Sequence, residues 1–426
     1  MHLLKSNKDF ALLFYGSLVS EIGSTLYSFA IGLYILSRTG SSAQMGIFLA
    51  VTVGVRLLFS PLAGVIVDKW NRIRIIYMAD YIRAFLFLAA GLFMLVEDSL
   101  QMIMVMLYAI TVISSMTAAF FGPAVSSSVP EIVGEKDLQA ANSGMSIIGS
   151  IQSIVGVLIG AAVYSLFGLF WILIINSFSF FVSAVSEMFI HPKFKKNSVH
   201  QSDDQSFSEG LRYIKKRKGL ISLLLLILFL NFAITPLVSI GIPFLFNNLL
   251  LRQPIELALF EVVFSISMLG AGIIIGKQVI HSSNRTVKKA IFGLMIGFLL
   301  MSLLIALISN QLIYYWIFYT LFLMNNGLLG VVIIYVNIPI QTGITLAVEP
   351  HFRGRVFSIT GSVTQLAVPI AFLIGGYIIE AYSVTVLALA CSFIIMIPSI
   401  LFILNKNVKN LFSEIDAITK EARANS

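Results

Sequence analysis

Apolar runs, each broken by a short polar segment, recur along almost the whole chain. An α-helix rises 1.5 Å per residue, so about 20 such residues cross a hydrocarbon core of about 30 Å. The pattern predicts twelve transmembrane helices, at residues 10–36, 43–67, 74–96, 100–121, 141–164, 168–190, 219–247, 255–278, 288–309, 312–338, 355–380 and 385–404. A β-barrel would instead show segments of about ten residues alternating apolar and polar, a pattern missing from this sequence. The first run follows a basic flank, yet it is too long for a signal-peptide core and has no small-residue cleavage site. It is expected as a retained helix, and the fold class as an all-α membrane protein.

The longest polar stretch, residues 191–218, falls between the sixth and seventh spans. It divides the chain into a six-helix bundle over 1–190, a cytoplasmic linker, a second bundle over 219–404 and a tail over 405–426. A weak internal repeat points to the same duplication. GSIQSIVGVLIGAA carries Gly149, Gln152 and Gly160, and GSVTQLAVPIAFLIGG carries Gly361, Gln365 and Gly375 about half a chain later. Duplicated six-helix halves joined by a basic linker are a transporter layout. The middle of the linker is expected to be mobile and its end, LRYIKKRKG, to lie on anionic lipid. In the tail, Val408, Leu411, Ile415 and Ile418 recur at helical spacing, which predicts an amphipathic helix on the membrane surface.

Composition agrees with the pattern: 58% of residues are hydrophobic and 11% charged, against about 25% charged in a soluble domain. The formal net charge of +8 changes the picture through its distribution. With the amino terminus cytoplasmic, 24 of the 28 Lys and Arg residues fall in inside segments and two, Arg38 and Arg252, in outside loops. That bias orients both termini to the cytoplasm and leaves a nucleic-acid partner without a reason. Cys391 is the only cysteine and the five histidines are scattered, so neither a disulfide nor a metal centre is indicated. No GxxxxGK[ST] phosphate loop occurs, and no catalytic constellation or cofactor motif appears.

Between the second and third spans stands Gly64-Val-Ile-Val-Asp68-Lys69-Trp70-Asn71-Arg72-Ile-Arg74. A glycine there would let two helices approach closely, an aspartate at a helix end suits a neighbouring helix's amino terminus, and the arginines anchor a tight turn. This segment resembles the GxxxDRxGRR signature of the major facilitator superfamily, with Asn71 in place of a glycine. Asn is expected there for its tolerance of left-handed φ. LVSEIGSTLYSFAIGLYILSRTGSS, ADYIRA, FFGPAVSSSVPEIVGEKDLQAANS and EPHFRGRVFS further resemble the branch that holds macrolide-efflux proteins and the enterobactin exporter. The resemblance implies the major facilitator fold, alternating access and export from a bacterial plasma (inner) membrane. It also implies a gating motif of Gly64, Asp68 and Arg72 with Arg353 and Arg355, in which Asp68 is either a latch toward the eleventh span or a loop anchor. The fifth span lacks the glycine-proline pair of many drug and proton antiporters but keeps Gly156 and Gly160.

Charge in the apolar core is costly, roughly 2.5–3.5 kcal/mol on insertion scales, so each instance asks for a reason. Glu21 lies near the midplane of the first span, on a stripe with Ser17, Ser24 and Ser28. Arg56 in the second span stands within about 5 Å of it in depth. Two readings stand: Glu21 is a protonatable coupling carboxylate in a water-filled cavity, or the two residues form a permanent structural pair. Asp80 and Arg83 are spaced for an (i, i+3) ion pair that braces the third span. Gln152, Asn176, Asn231, Asn325, Asn326 and Gln365 either line a cavity or bond helices together. Glu187, Glu256, Glu261 and Glu380 lie near predicted helix ends and read as solvated or interfacial.

The function expected is a secondary transporter, not an enzyme: a monomeric, proton-driven exporter of a small amphipathic compound such as a drug, macrolide or siderophore. The alternatives are a lipid or lysophospholipid flippase of the same fold, with membrane lipid as its cargo, and a scaffold or immunity protein that transports nothing.

Overall fold

The long apolar runs all fold as helices. The computed structural model describes residues 2–192, 203–277 and 283–424. Among these residues, ten continuous helices are long and apolar enough to cross a membrane. One of them, Leu100–Met188, has 89 residues, or about 130 Å of helix at 1.5 Å per residue, several times a bilayer's hydrocarbon core. It is broken at Gly134 (φ 73°) and Gly168 (φ 78°), a left-handed conformation that glycine adopts without a Cβ clash. The breaks separate stretches 100–133, 135–167 and 169–188. Counted with these breaks, the described residues hold twelve spans, the number the hydrophobic pattern predicts.

The chain begins with α1 (His2–Ser6), α2 (Lys8–Thr39), α3 (Ser42–Lys69), α4 (Arg72–Val96), α5 (Leu100–Ile151) and α6 (Val157–Met188). It continues through α7 (Asp203–Lys216), α8 (Lys218–Pro236), α9 (Ile242–Phe244), α10 (Pro254–Lys277) and α11 (Ser283–Ser309). It ends with α12 (Tyr315–Ala347), α13 (Pro350–Leu366), α14 (Val368–Ala381), α15 (Val384–Leu404) and α16 (Lys406–Ala424). Wider π-helical turns occupy Gln152–Gly156, Leu237–Gly241 and Leu245–Leu249. Contacts group the chain into two units, one of Met1–Ser198 with Pro243–Val262 and one of Val199–Ile242 with Val263–Ser426.

In the first unit α2 packs on α6, α4 on α5 and α6, and α3 on α5. Glycines set the closest approaches. A Cβ on Gly160 would stand 3.2 Å from the Leu26 backbone, and one on Gly156 2.8 Å from Thr25 Cβ. The small pair expected in the fifth span thus seats that span on α2. In the second unit α11 packs on α12 and α15, and α8 on α15.

Four local expectations are corrected. Residues 122–140, read from polarity as a connection, are helical on both sides of Gly134. The reason is an apolar face, Phe121, Val125, Val129 and Ile132, buried against Phe10, Phe14 and Ile76, while Ser126 and Ser128 bond back to carbonyls of their own helix. Asn71 does not take a left-handed φ: it is the N-cap of α4 (φ −65°), its side chain accepting from Arg74 N–H at 3.1 Å. From Asp203 onward the linker is the helix α7 rather than a mobile stretch, with Tyr213 stacked on Phe352 of α13 at 4.7 Å; residues 193–202 lie outside those described. The tail helix α16 packs on α8, α11 and α12 instead of a membrane surface. Val408, Leu411 and Ile415 are buried, Leu411 fitting over Gly219 and Ile415 over Gly343; the Ile418 side chain is outside those described.

Candidate functional site in the first unit

The polar stripe of α2 opens onto a cavity of about 300 Å³ inside the first unit. Glu21, Ser24 and Ser28 line it from α2, Thr52 and Arg56 from α3, Arg83 and Phe87 from α4, and Asn176 and Phe180 from α6. Thr111, Ser114, Ser115, Ala118, Phe121 and Gly122 of α5, with Tyr27, Ile31, Phe48 and Leu49, complete the wall. Much of this polarity is satisfied within single helices. Ser24 donates to Ser20 O at 2.9 Å, Thr52 to Phe48 O at 2.9 Å and Thr111 to Leu107 O at 2.8 Å. Those hydroxyls bond back one turn, whereas Tyr27 Oη, Ser114 Oγ and Asn176 Nδ2 have no hydrogen-bond partner among the described residues, so they and the ionisable groups are the chemistry the cavity presents.

Glu21 is half-buried and, among the described residues, makes no ion pair within 4 Å. The permanent pair with Arg56 is therefore not formed. Arg56 is exposed along the cavity, and Arg83 lines the same cavity from α4. Glu21 and Arg56 line one cavity without pairing, because the rotation of each helix decides which charges face one another.

Arg83 is held on three sides. Nη1 bonds Asp80 Oδ1 at 3.2 Å, Nε donates to Thr117 Oγ1 at 2.9 Å, and the guanidinium carbon lies 4.9 Å from the Phe121 ring centre and 5.3 Å from that of Phe180. Nη2 has no protein partner although it is buried. The pair that sequence places as a brace near the end of its span is thus internal: Asp80 is 0% exposed, and Arg83 lines the cavity as well as pairing.

Glu187 corrects a further expectation. It is 0% exposed rather than solvated and receives the Ser183 hydroxyl at 3.1 Å. The signal for it was present in the sequence as a second polar stripe, Asn176, Ser179, Ser183 and Glu187, at helical spacing along α6. Of the other three acids, Glu256 and Glu261 are half-buried and Glu380 is exposed.

The remaining candidates scatter. Asn176 is wholly buried at the α2–α6 contact and lines the cavity. Gln152 sits in the π-helical turn away from it, with Oε1 unpartnered. In the second unit Asn325 donates to Gly297 O at 3.0 Å, bonding α12 to α11, Asn326 is buried, Asn231 bonds Ile227 O in its own helix, and Gln365 is exposed. At the α3–α4 turn Arg72 bonds Ser127 O and Glu131 on α5 and lies 3.6 Å from Asp68. Gly64 faces open space, with nothing within 4 Å of a built Cβ, so it supports no close helix approach in this conformation. Arg353 donates to Val348 O at 3.1 Å; the Arg355 side chain is outside those described.

Gly23 gives a packing test of this wall. A Cβ there would overlap Ser179 Oγ and come within 2.6 Å of Asn176 Oδ1. Gly23→Ala is expected to destabilise the unit by about 1–3 kcal/mol through overpacking, whereas Gly64→Ala leaves the melting midpoint of the purified chain in place. Equal midpoints for the two variants would contradict the packing described.

The sequence model of the family described as Major Facilitator Superfamily matches residues 13–371. The chain is 26% identical to macrolide efflux protein A of Streptococcus pyogenes over 372 residues, 84% of this chain and 86% of that one. Among solved structures, the nucleoside transporter NupG superposes with a TM-score of 0.71 at 13% identity, covering 92% of this chain and 97% of NupG. A D-xylose-proton symporter superposes with a TM-score of 0.72 at 9% identity, covering 92% of this chain and 96% of the symporter. At these identities the two structures establish a shared fold.

Proposed function

The chain belongs to the Major Facilitator Superfamily, a family of secondary transporters rather than enzymes, and from that premise we propose that it is a proton-coupled exporter of small amphipathic compounds. The observation that carries this reading is Glu21: a carboxylate inside a membrane-spanning bundle, facing a cavity and holding no ion pair among the described residues. Unpaired intramembrane acids are costly and mark proton or substrate paths. The cavity's volume of about 300 Å³ stands at the small end of ligand sites, and its mix of Phe87, Phe180 and a few polar groups suits a ligand with an apolar body.

Protonation turns Glu21 from an acceptor into a neutral group that also donates. A substrate amine or hydroxyl and a proton then compete for one carboxylate, and release of one on binding of the other is the exchange that antiport needs. The kinship with macrolide efflux protein A supports outward transport and an amphipathic cargo. The basic residues on one side of the spans support cytoplasmic termini in a bacterial plasma membrane.

The test is accumulation of a fluorescent amphipathic cation in cells that overexpress the chain. Lower accumulation than in control cells is expected, with the difference abolished by a protonophore. Accumulation that the chain does not change would turn the reading toward a lipid substrate.

A further inference from the structure

We propose that Asp80 and Glu187 form a second, closed proton-binding site that holds one proton at the interface of α4 and α6. The assignment rests neither on the export reading nor on the role of Glu21.

Asp80 on α4 and Glu187 on α6 are two carboxylates buried in the interior of the first unit, where Arg83 pairs with Asp80 at 3.2 Å. Arg56 lies on the open side of the cavity. Arg83 spends its bonds on Asp80 and Thr117. Among the described residues no cation comes within 4 Å of Glu187, and α2 meets it with Gly16, which brings no charge. Glu187 is thus left without a counter-ion, and a charge buried in that way neutralises by taking up a proton.

Hydrogen bonding places that proton. The Ser183 hydroxyl donates to Glu187 Oε1 at 3.1 Å and also lies beside the Asp80 carboxyl. A hydroxyl has one hydrogen, so it serves one acid at a time. Glu187 Oε2 and Asp80 Oδ2 are both buried and both without a partner. A proton carried by the pair removes the unbalanced charge and supplies the donor that two orphaned acceptors lack. With both side chains 0% exposed, the site is closed to solvent.

Infrared spectroscopy of the purified full-length chain at neutral pH, without substrate or gradient, tests this. The difference between wild type and Glu187→Gln is expected to show a protonated-acid carbonyl band, shifted in heavy water and lost in the variant. The melting midpoint at neutral pH is expected to stay unchanged, because Gln is a neutral stand-in for the neutral acid. A difference spectrum showing ionised-carboxylate bands instead would overturn the proposal. If E187Q does not fold, Ser183→Ala serves in its place: the acid band is expected to move as its hydrogen bond is lost, and an unmoved band overturns the assignment. A failure to export in cells would leave either spectrum as it is, so the two readings fail separately.

Discussion

Replacing Arg83 with alanine is expected to cost the first unit about 3–5 kcal/mol, because it strands a buried carboxylate. Asp80 is 0% exposed and its one ion-pair contact is Arg83 at 3.2 Å. The same substitution removes a guanidinium packed between Phe121 and Phe180, where the cation–ring attraction is stronger for being out of water. Arg83→Lys is expected to recover only part of the loss. One ammonium has no rigid fork with which to serve Thr117 and Asp80 at once. Removing both partners in Arg83→Ala with Asp80→Ala is expected to cost less than Arg83→Ala alone, since no unpaired charge then remains. Thermal unfolding of the purified variants, compared as a double-mutant cycle, reads this directly. A single Arg83→Ala variant as stable as wild type would mean that the guanidinium is solvated rather than enclosed.

What the sequence discloses here follows from what a bilayer demands. Backbone groups in hydrocarbon must bond within their own helix, so the spans appear as apolar runs and their number is read correctly from residues 10 to 404. Gly160 and Gly156 are legible for the same reason, since only small residues let spans meet closely. Counting residues along the spans points to Glu21 and Arg56 together, and both line one cavity. Rotation about the helix axis is not legible, because it is set by packing against neighbours. That is why Arg83 joins Glu21 and Arg56 at the cavity wall, and why Glu187 is buried although its sequence position suggests an interface. The polar segment 122–140 and the tail misled for a related reason. Their apolar faces are narrow, and what buries them, α1, α2 and α4 for the first and α8, α11 and α12 for the second, is distant in sequence.

The second large effect concerns transport. Glu21→Gln keeps the shape of the side chain and its place in the cavity but can neither gain nor lose a proton. The chain is expected to fold and insert as wild type does, because Glu21 makes no ion pair within 4 Å among the described residues, and to lose at least about tenfold of its proton-driven export, the factor that corresponds to 1.4 kcal/mol. Glu21→Asp, a carboxylate set back by one methylene, is expected to fall between the two. The decisive measurement is proton movement in proteoliposomes that contain the purified chain and a trapped pH-sensitive dye. Adding an amphipathic substrate to wild-type vesicles is expected to drive a proton flux in the opposite direction, and the flux is expected to be missing from Glu21→Gln vesicles of equal protein content. A substrate-driven flux of the same size in both would contradict the assignment of Glu21 as the coupling carboxylate.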